Sequence, residues 1–138
     1  MKIITAYPPN FTKIARAFPV KGKPGILYSW GDRIYNPSGI SIPPWLIAHE
    51  EIHGQQQETP GVERWWDNYL DDTQFRLEQE VEAHRREYQW IADPEHHLEP
   101  HVQERYLFQM AERLASPLYG YLVTLDHAYA LIKGKSEP

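Results

Sequence analysis

The chain has 138 residues, enough for one domain, and its 41% hydrophobic and 13% aromatic content excludes a disordered polymer despite a mean hydropathy of -0.63. It contains no Cys, so disulfides, thiolate metal sites and Cys nucleophiles are excluded. The net charge of -5 argues against a nucleic-acid binder, and no apolar run approaches the roughly 20 residues of a membrane span.

Ile3-Ile4-Thr5-Ala6-Tyr7 predicts a short strand, ended by Pro8-Pro9, and these prolines arrive too early for a secretory signal. Asn10 is placed to cap a helix through Phe18, with Ile14, Ala17 and Phe18 on its inner side. After the loop Lys21-Gly22-Lys23-Pro24-Gly25, the runs 26–30 and 33–35 read as two strands joined by a two-residue Gly31-Asp32 turn. This first part is basic, with six Lys/Arg and one acid in residues 1–40. Residues 41–100 hold four Arg and fourteen acids, so the two parts are expected to lie against each other.

From Ser41 onward the signal is helical. Pro43-Pro44 suit a first turn, and a helix from Trp45 to about Glu58 would carry Trp45, Ala48, Ile52 and Gln56 on one stripe. Thr59-Pro60-Gly61 stops it. A short aromatic helix follows over 62–70, then a long one from Asp71 or Asp72 to about Ile91. Residues 94–100 read as a loop. A helix over 101–115, a break at Ser116-Pro117 and a last helix capped by Thr124 and ended at Gly134 complete the chain. The fold class is α+β: one domain, 1–138, with a small N-terminal sheet and a mainly helical body.

One constellation carries chemistry. His49-Glu50-Glu51-Ile52-His53 is His-Glu-x-x-His on a predicted helix. Positions i and i+4 share a face, about 6 Å apart along the axis, so two imidazoles can converge on one ion. Glu50 points to the side, where it can take a proton from water. Zinc suits such nitrogen and oxygen ligands with an open fourth position.

A third ligand is needed. The extension that would supply a third His is missing, because Gln56 and Thr59 occupy the Gly and His positions. The long helix offers Glu78, Glu80 and Glu82. Its apolar stripe is Leu77, Val81, His84, Tyr88 and Ile91. At about 100° per residue, Glu80 lies about 60° from the stripe's centre, Glu78 about 100° and Glu82 about 140°. Glu80 is the inward choice and Glu82 the second.

His84, one turn after Glu80, reads as a half-buried residue at the core edge, or as a partner for a ligand or for Glu50. Arg76 is read as a surface residue, or as a partner of Glu80. Tyr119 and Tyr121 lie in a Pro/Gly turn and read first as core packing, with the other reading that either reaches a cleft and donates to an oxyanion. His96, His97 and His101 crowd one loop, read as solvated, with a second metal site as the other reading. His127 reads as structural. The tryptophans 45, 65, 66 and 90 read as core.

These residues resemble the zincin metallopeptidases whose third ligand is Glu. The similarity rests on His49-Glu50-x-x-His53 followed 27 residues later by Glu80-Val81-Glu82-Ala83. More closely, the span from Ala17 to Ile132 is similar to small zincin-like proteins of bacteriophage and prophage genomes. Phe18-Pro19, Tyr28-x-x-Gly31-Asp32-x-Ile34-Tyr35-Asn36-Pro37, Trp65-Trp66-x-x-Tyr69 and Ser116-Pro117-Leu118-Tyr119-Gly120 carry that similarity.

The resemblance implies a zinc ion held by His49, His53 and Glu80. It implies Glu50 as general base, and a peptide or protein substrate lying along a sheet edge in the 26–35 hairpin. In the usual third-ligand helix an Asp stands where this chain has His84. The alternative is a zincin-fold phage structural or binding protein that contacts other virion proteins. Either would place the protein in the host cytoplasm or the virion.

Overall fold

The computed structural model describes residues 1–134. In chain order its elements are β1 (Lys2–Ile4), α1 (Phe11–Ala17), β2 (Tyr28–Trp30), β3 (Arg33–Tyr35), α2 (Pro44–Glu58), α3 (Val62–Asp71), α4 (Thr73–Ala92), α5 (Pro100–Leu114) and α6 (Leu125–Lys133). Single 3-10 turns cover Pro94–His96 and Pro117–Tyr119. The α+β class read from the sequence is what the chain adopts.

The sheet has the order β1-β3-β2, with β1 parallel and β2 antiparallel to the central β3. Trp30 pairs with Arg33 across Gly31-Asp32, and Gly31 takes a φ of 63°, which a side chain would resist. The strands are shorter than the sequence pattern suggests. β1 stops at Ile4 rather than Tyr7 because the chain turns there, with Ala6 N donating to the Ile4 carbonyl. Residues 26 and 27 lie outside β2. In α1, Ile14 and Phe18 are buried as expected but Ala17 is exposed. Asn10 occupies the cap position without a side-chain cap hydrogen bond.

Two apolar clusters make up the core. One joins α4, α5 and α6 through Leu77, Val81, Ile91, Leu107, Leu114, Leu131 and their neighbours. Burying each of these aliphatic side chains contributes roughly 1.5–3 kcal/mol. The other joins α1, the hairpin and α3 through Ile14, Phe18, Tyr28, Trp65, Trp66 and Tyr69. There Trp65 stacks on Tyr69 at 4.9 Å between ring centroids. Trp65 and Trp66 are buried as expected, whereas Trp45 and Trp90 are only half-buried.

Helix α2 runs between these clusters, and its inner face differs from the expected stripe. Ala48, His49, Glu50, His53 and Gln57 are buried, while Trp45, Ile52 and Gln56 are half-buried. An apolar stripe is the cheapest face to bury, but polar groups can replace it where each finds a partner. Gln57 does so twice, donating from Nε2 to the Ser29 carbonyl at 3.0 Å and accepting from Gly31 N at 2.7 Å.

This tie brings α2 onto the hairpin at Gly54. A Cβ built there would lie 2.8 Å from the Gly31 carbonyl oxygen and from the Met1 methyl. Met1 can move but the hairpin backbone cannot. Gly54→Ala is therefore expected to destabilise by about 1–3 kcal/mol, despite the better helix propensity of Ala. Thermal unfolding checks this; an unchanged or higher Tm would show that α2 slides freely over the turn.

Candidate metal centre

His49, His53 and Glu80 converge between α2 and α4. All three are buried, and their ligand atoms lie within 4.8 Å of one another. They form the one such His/Cys/Asp/Glu group among the described residues. The separation of His49 Nε2 from Glu80 Oε1 is 3.5 Å, and that of His53 Nε2 from Glu80 Oε2 is 3.2 Å. Donors each 2.0–2.1 Å from one tetrahedral ion would stand roughly 3.3 Å apart, so the spacing fits. Glu80 Oε1 is sealed from solvent and has no hydrogen-bond partner among the described residues. An orphaned buried carboxylate oxygen is costly, and a cation relieves it.

Neighbours aim each ligand. His49 Nδ1 lies 2.8 Å from Glu87 Oε1, and His53 Nδ1 lies 2.8 Å from Gln56 Oε1. Each acceptor holds the proton on Nδ1 and leaves Nε2 directed at Glu80. Gln56 is itself fixed by donating to the Gln79 carbonyl and to Glu82 Oε1. The Tyr69 hydroxyl donates to Glu80 Oε2 at 2.6 Å. Behind Glu87, Arg113 of α5 supplies an ion pair through Nη2.

The expected residues fall out as follows. Glu80 points inward, whereas Glu78 and Glu82 are exposed. Glu50 is buried beside His49, with Oε2 3.5 Å from His49 Nε2, and the Ser29 hydroxyl donates to its Oε1 at 3.1 Å. Tyr119 lines the same pocket as Glu50, His49, His53 and Glu80. Tyr121 does not reach it and is 72% exposed.

His84 is fully buried behind His49, with the two ring centroids 4.7 Å apart, and not beside Glu50. Its Nδ1 lies 2.7 Å from the Glu80 carbonyl oxygen, and its Nε2 accepts from Arg113 Nε at 3.3 Å. Arg76 is neither at the surface nor paired with Glu80. It is buried and donates to the carbonyls of Tyr69 and Tyr119, tying the aromatic helix to the Tyr119 turn.

The other histidines stay apart. His96 stacks on Trp90 at 3.6 Å between centroids, His97 is exposed, and His101 faces Glu99. His127 is exposed rather than structural.

Burial opposes charge on His49, but the carboxylates of Glu80, Glu87 and Glu50 outweigh it and raise its pKa to about 10. The same balance raises His53. For Glu80, burial alone would raise the pKa, yet His53 and His49 hold it well below the usual carboxylate range. Burial pushes His84 down to about 3, helped by the Arg113 charge, so it is neutral. Burial raises Glu50, and burial with the Glu80 charge keeps the Tyr119 hydroxyl protonated.

In protein stripped by a chelator, His49 therefore carries a proton at pH 7 that an incoming cation must displace. Metal uptake at pH 7 is expected to release about one proton from His49, and apparent affinity to climb about tenfold per pH unit below its pKa. Titration calorimetry in two buffers of different ionisation enthalpy measures this. Equal heats in both would contradict a protonated His49.

Sequence reasoning missed Glu87, Arg113, Ser29, Tyr69 and Gln57. Only Glu87 left a usable signal: seven residues beyond Glu80, it lies within about 20° of it on the helix face.

The sheet edge expected to receive an extended substrate is closed at its centre. Ser29 of β2 is 2% exposed. Its carbonyl accepts from both Gln57 Nε2 and Trp66 Nε1, each at 3.0 Å.

No family model, curated protein or solved structure matches this chain. Among the described residues, no helix is long and apolar enough to cross a membrane.

Proposed function

We propose that this protein is a zinc-dependent peptidase. The observation that carries the reading is the buried convergence of His49, His53 and Glu80 with the Glu50 carboxylate directly beside it. Two imidazoles and one carboxylate make a donor set suited to zinc, and three protein ligands leave a position open. When bound, zinc supplies Lewis acidity and makes water acidic enough to attack at neutral pH.

The chain's own groups do the rest. Glu50, held by Ser29, accepts a proton from the attacking water and hands it to the departing amine. Burial raises its pKa toward the working range of such a base. Tyr119 offers a protonated hydroxyl from the pocket wall, as a donor for oxygen charge that develops on the scissile carbonyl. His84, neutral and walled in, positions the Glu80 backbone and the His49 ring rather than carrying protons.

The test is zinc content and hydrolysis measured together. Purified protein should hold one zinc per chain and cleave peptides. Chelation should abolish cleavage and added zinc restore it. Zinc-loaded protein that cleaves no peptide would defeat the reading.

A further inference from the structure

Strand addition needs free N–H and C=O groups along an edge. The edge beside α2 is β2, and its middle residue has little to offer. Both lone pairs of the Ser29 carbonyl are filled by Gln57 and Trp66. The Ser29 hydroxyl is spent on the Glu50 carbonyl and on Glu50 Oε1. Gly31 N, at the end of the strand, donates to Gln57 Oε1. The indole of Trp66, 7% exposed, closes the flank. The other edge, β1, lies across β3 from β2, roughly 9–10 Å farther off.

What the site does present is a pocket of about 70 Å³, floored by the His49, His53 and Glu80 cluster and walled on its apolar side by Phe18, Tyr28 and Leu118. That is roughly half the engineered apolar cavity known to accept benzene, and matches one compact aliphatic side chain.

We infer that the site acts on short substrates, di- or tripeptides with one compact apolar side chain, gripped by that side chain rather than by the main chain of an extended polypeptide. This rests on the peptidase reading above. A longer peptide finds the Ser29 carbonyl already taken, and its extra residues meet Trp66 and the covered strand.

The experiment compares a Gly-Leu-type dipeptide and tripeptide with a decapeptide containing the same bond. Zinc-loaded protein gives kcat/KM for each. The Glu50→Gln variant gives binding without turnover, read by tryptophan fluorescence from the pocket wall. The short peptides should be favoured about tenfold or more in both readouts, because the decapeptide must seat its extra residues against Trp66 and the covered strand without hydrogen bonds to offset it. Equal or better binding and cleavage of the decapeptide would overturn the inference and leave the peptidase reading standing. Short peptides bound preferentially but uncut would uphold the grip on short peptides and overturn the claim that the site acts on them, together with the catalytic reading. Neither peptide bound nor cut would overturn both.

Discussion

Glu50→Gln is expected to cut hydrolysis by about 10²–10⁴-fold, the usual contribution of a positioned general base. Zinc content should stay at the parental value. Gln keeps the size of Glu, and its amide oxygen can still accept from the Ser29 hydroxyl, which now meets Glu50 Oε1 at 3.1 Å. What it loses is the capacity to take a proton from water. The site tolerates the swap because Glu50 is not one of the three converging ligands. Burial disfavours the Glu50 carboxylate more than its neighbours favour it, so exchange for a neutral amide of the same size should not cost folding. Activity assays with elemental analysis on both proteins decide it. Parental activity in the variant would strip Glu50 of its role, whatever the metal content.

Glu80→Ala attacks the other half of the site. It removes the carboxylate that faces both imidazoles, at 3.5 Å from His49 Nε2 and 3.2 Å from His53 Nε2. It also leaves the Tyr69 hydroxyl without its acceptor. Zinc affinity should fall by more than the 10–100-fold typical of losing a partner outside the ligand set. The stabilisation that zinc confers on folding should then vanish. In the parent at a thousandfold excess over Kd it is worth about 4 kcal/mol. Thermal unfolding with and without zinc reads this directly. Glu78→Ala, exposed on the same helix and outside the contacts that hold the ligands, is the control and should behave as the parent does. An unchanged zinc response in Glu80→Ala would remove α4 from the metal centre.

How far the sequence reached depended on whether an interaction is local. His49 and His53 were legible because a helix places i and i+4 on one face wherever it packs. Glu80 was legible because the apolar stripe of its own helix fixes which way it turns. The inner face of α2 was misjudged for the complementary reason. Its burial depends on partners that periodicity does not contain, such as Ser29 for Glu50 and Gly31 for Gln57. Arg76 was misread likewise, since its carbonyl acceptor at Tyr119 lies 43 residues away.

By itself, then, the sequence determined an α+β chain with a helical body and a His-Glu-x-x-His helix facing an inward Glu80. Those features follow from composition, turn chemistry and helical angle, all local quantities. Only the tertiary structure decided that Glu87, 38 residues from His49, aims that imidazole. It alone decided that Arg113 backs Glu87, and that Gln57 and Trp66 close the β2 edge over Ser29. Such partners are fixed by how elements pack across long separations in the chain, and a buried polar group takes whichever partner the packing brings within hydrogen-bond reach.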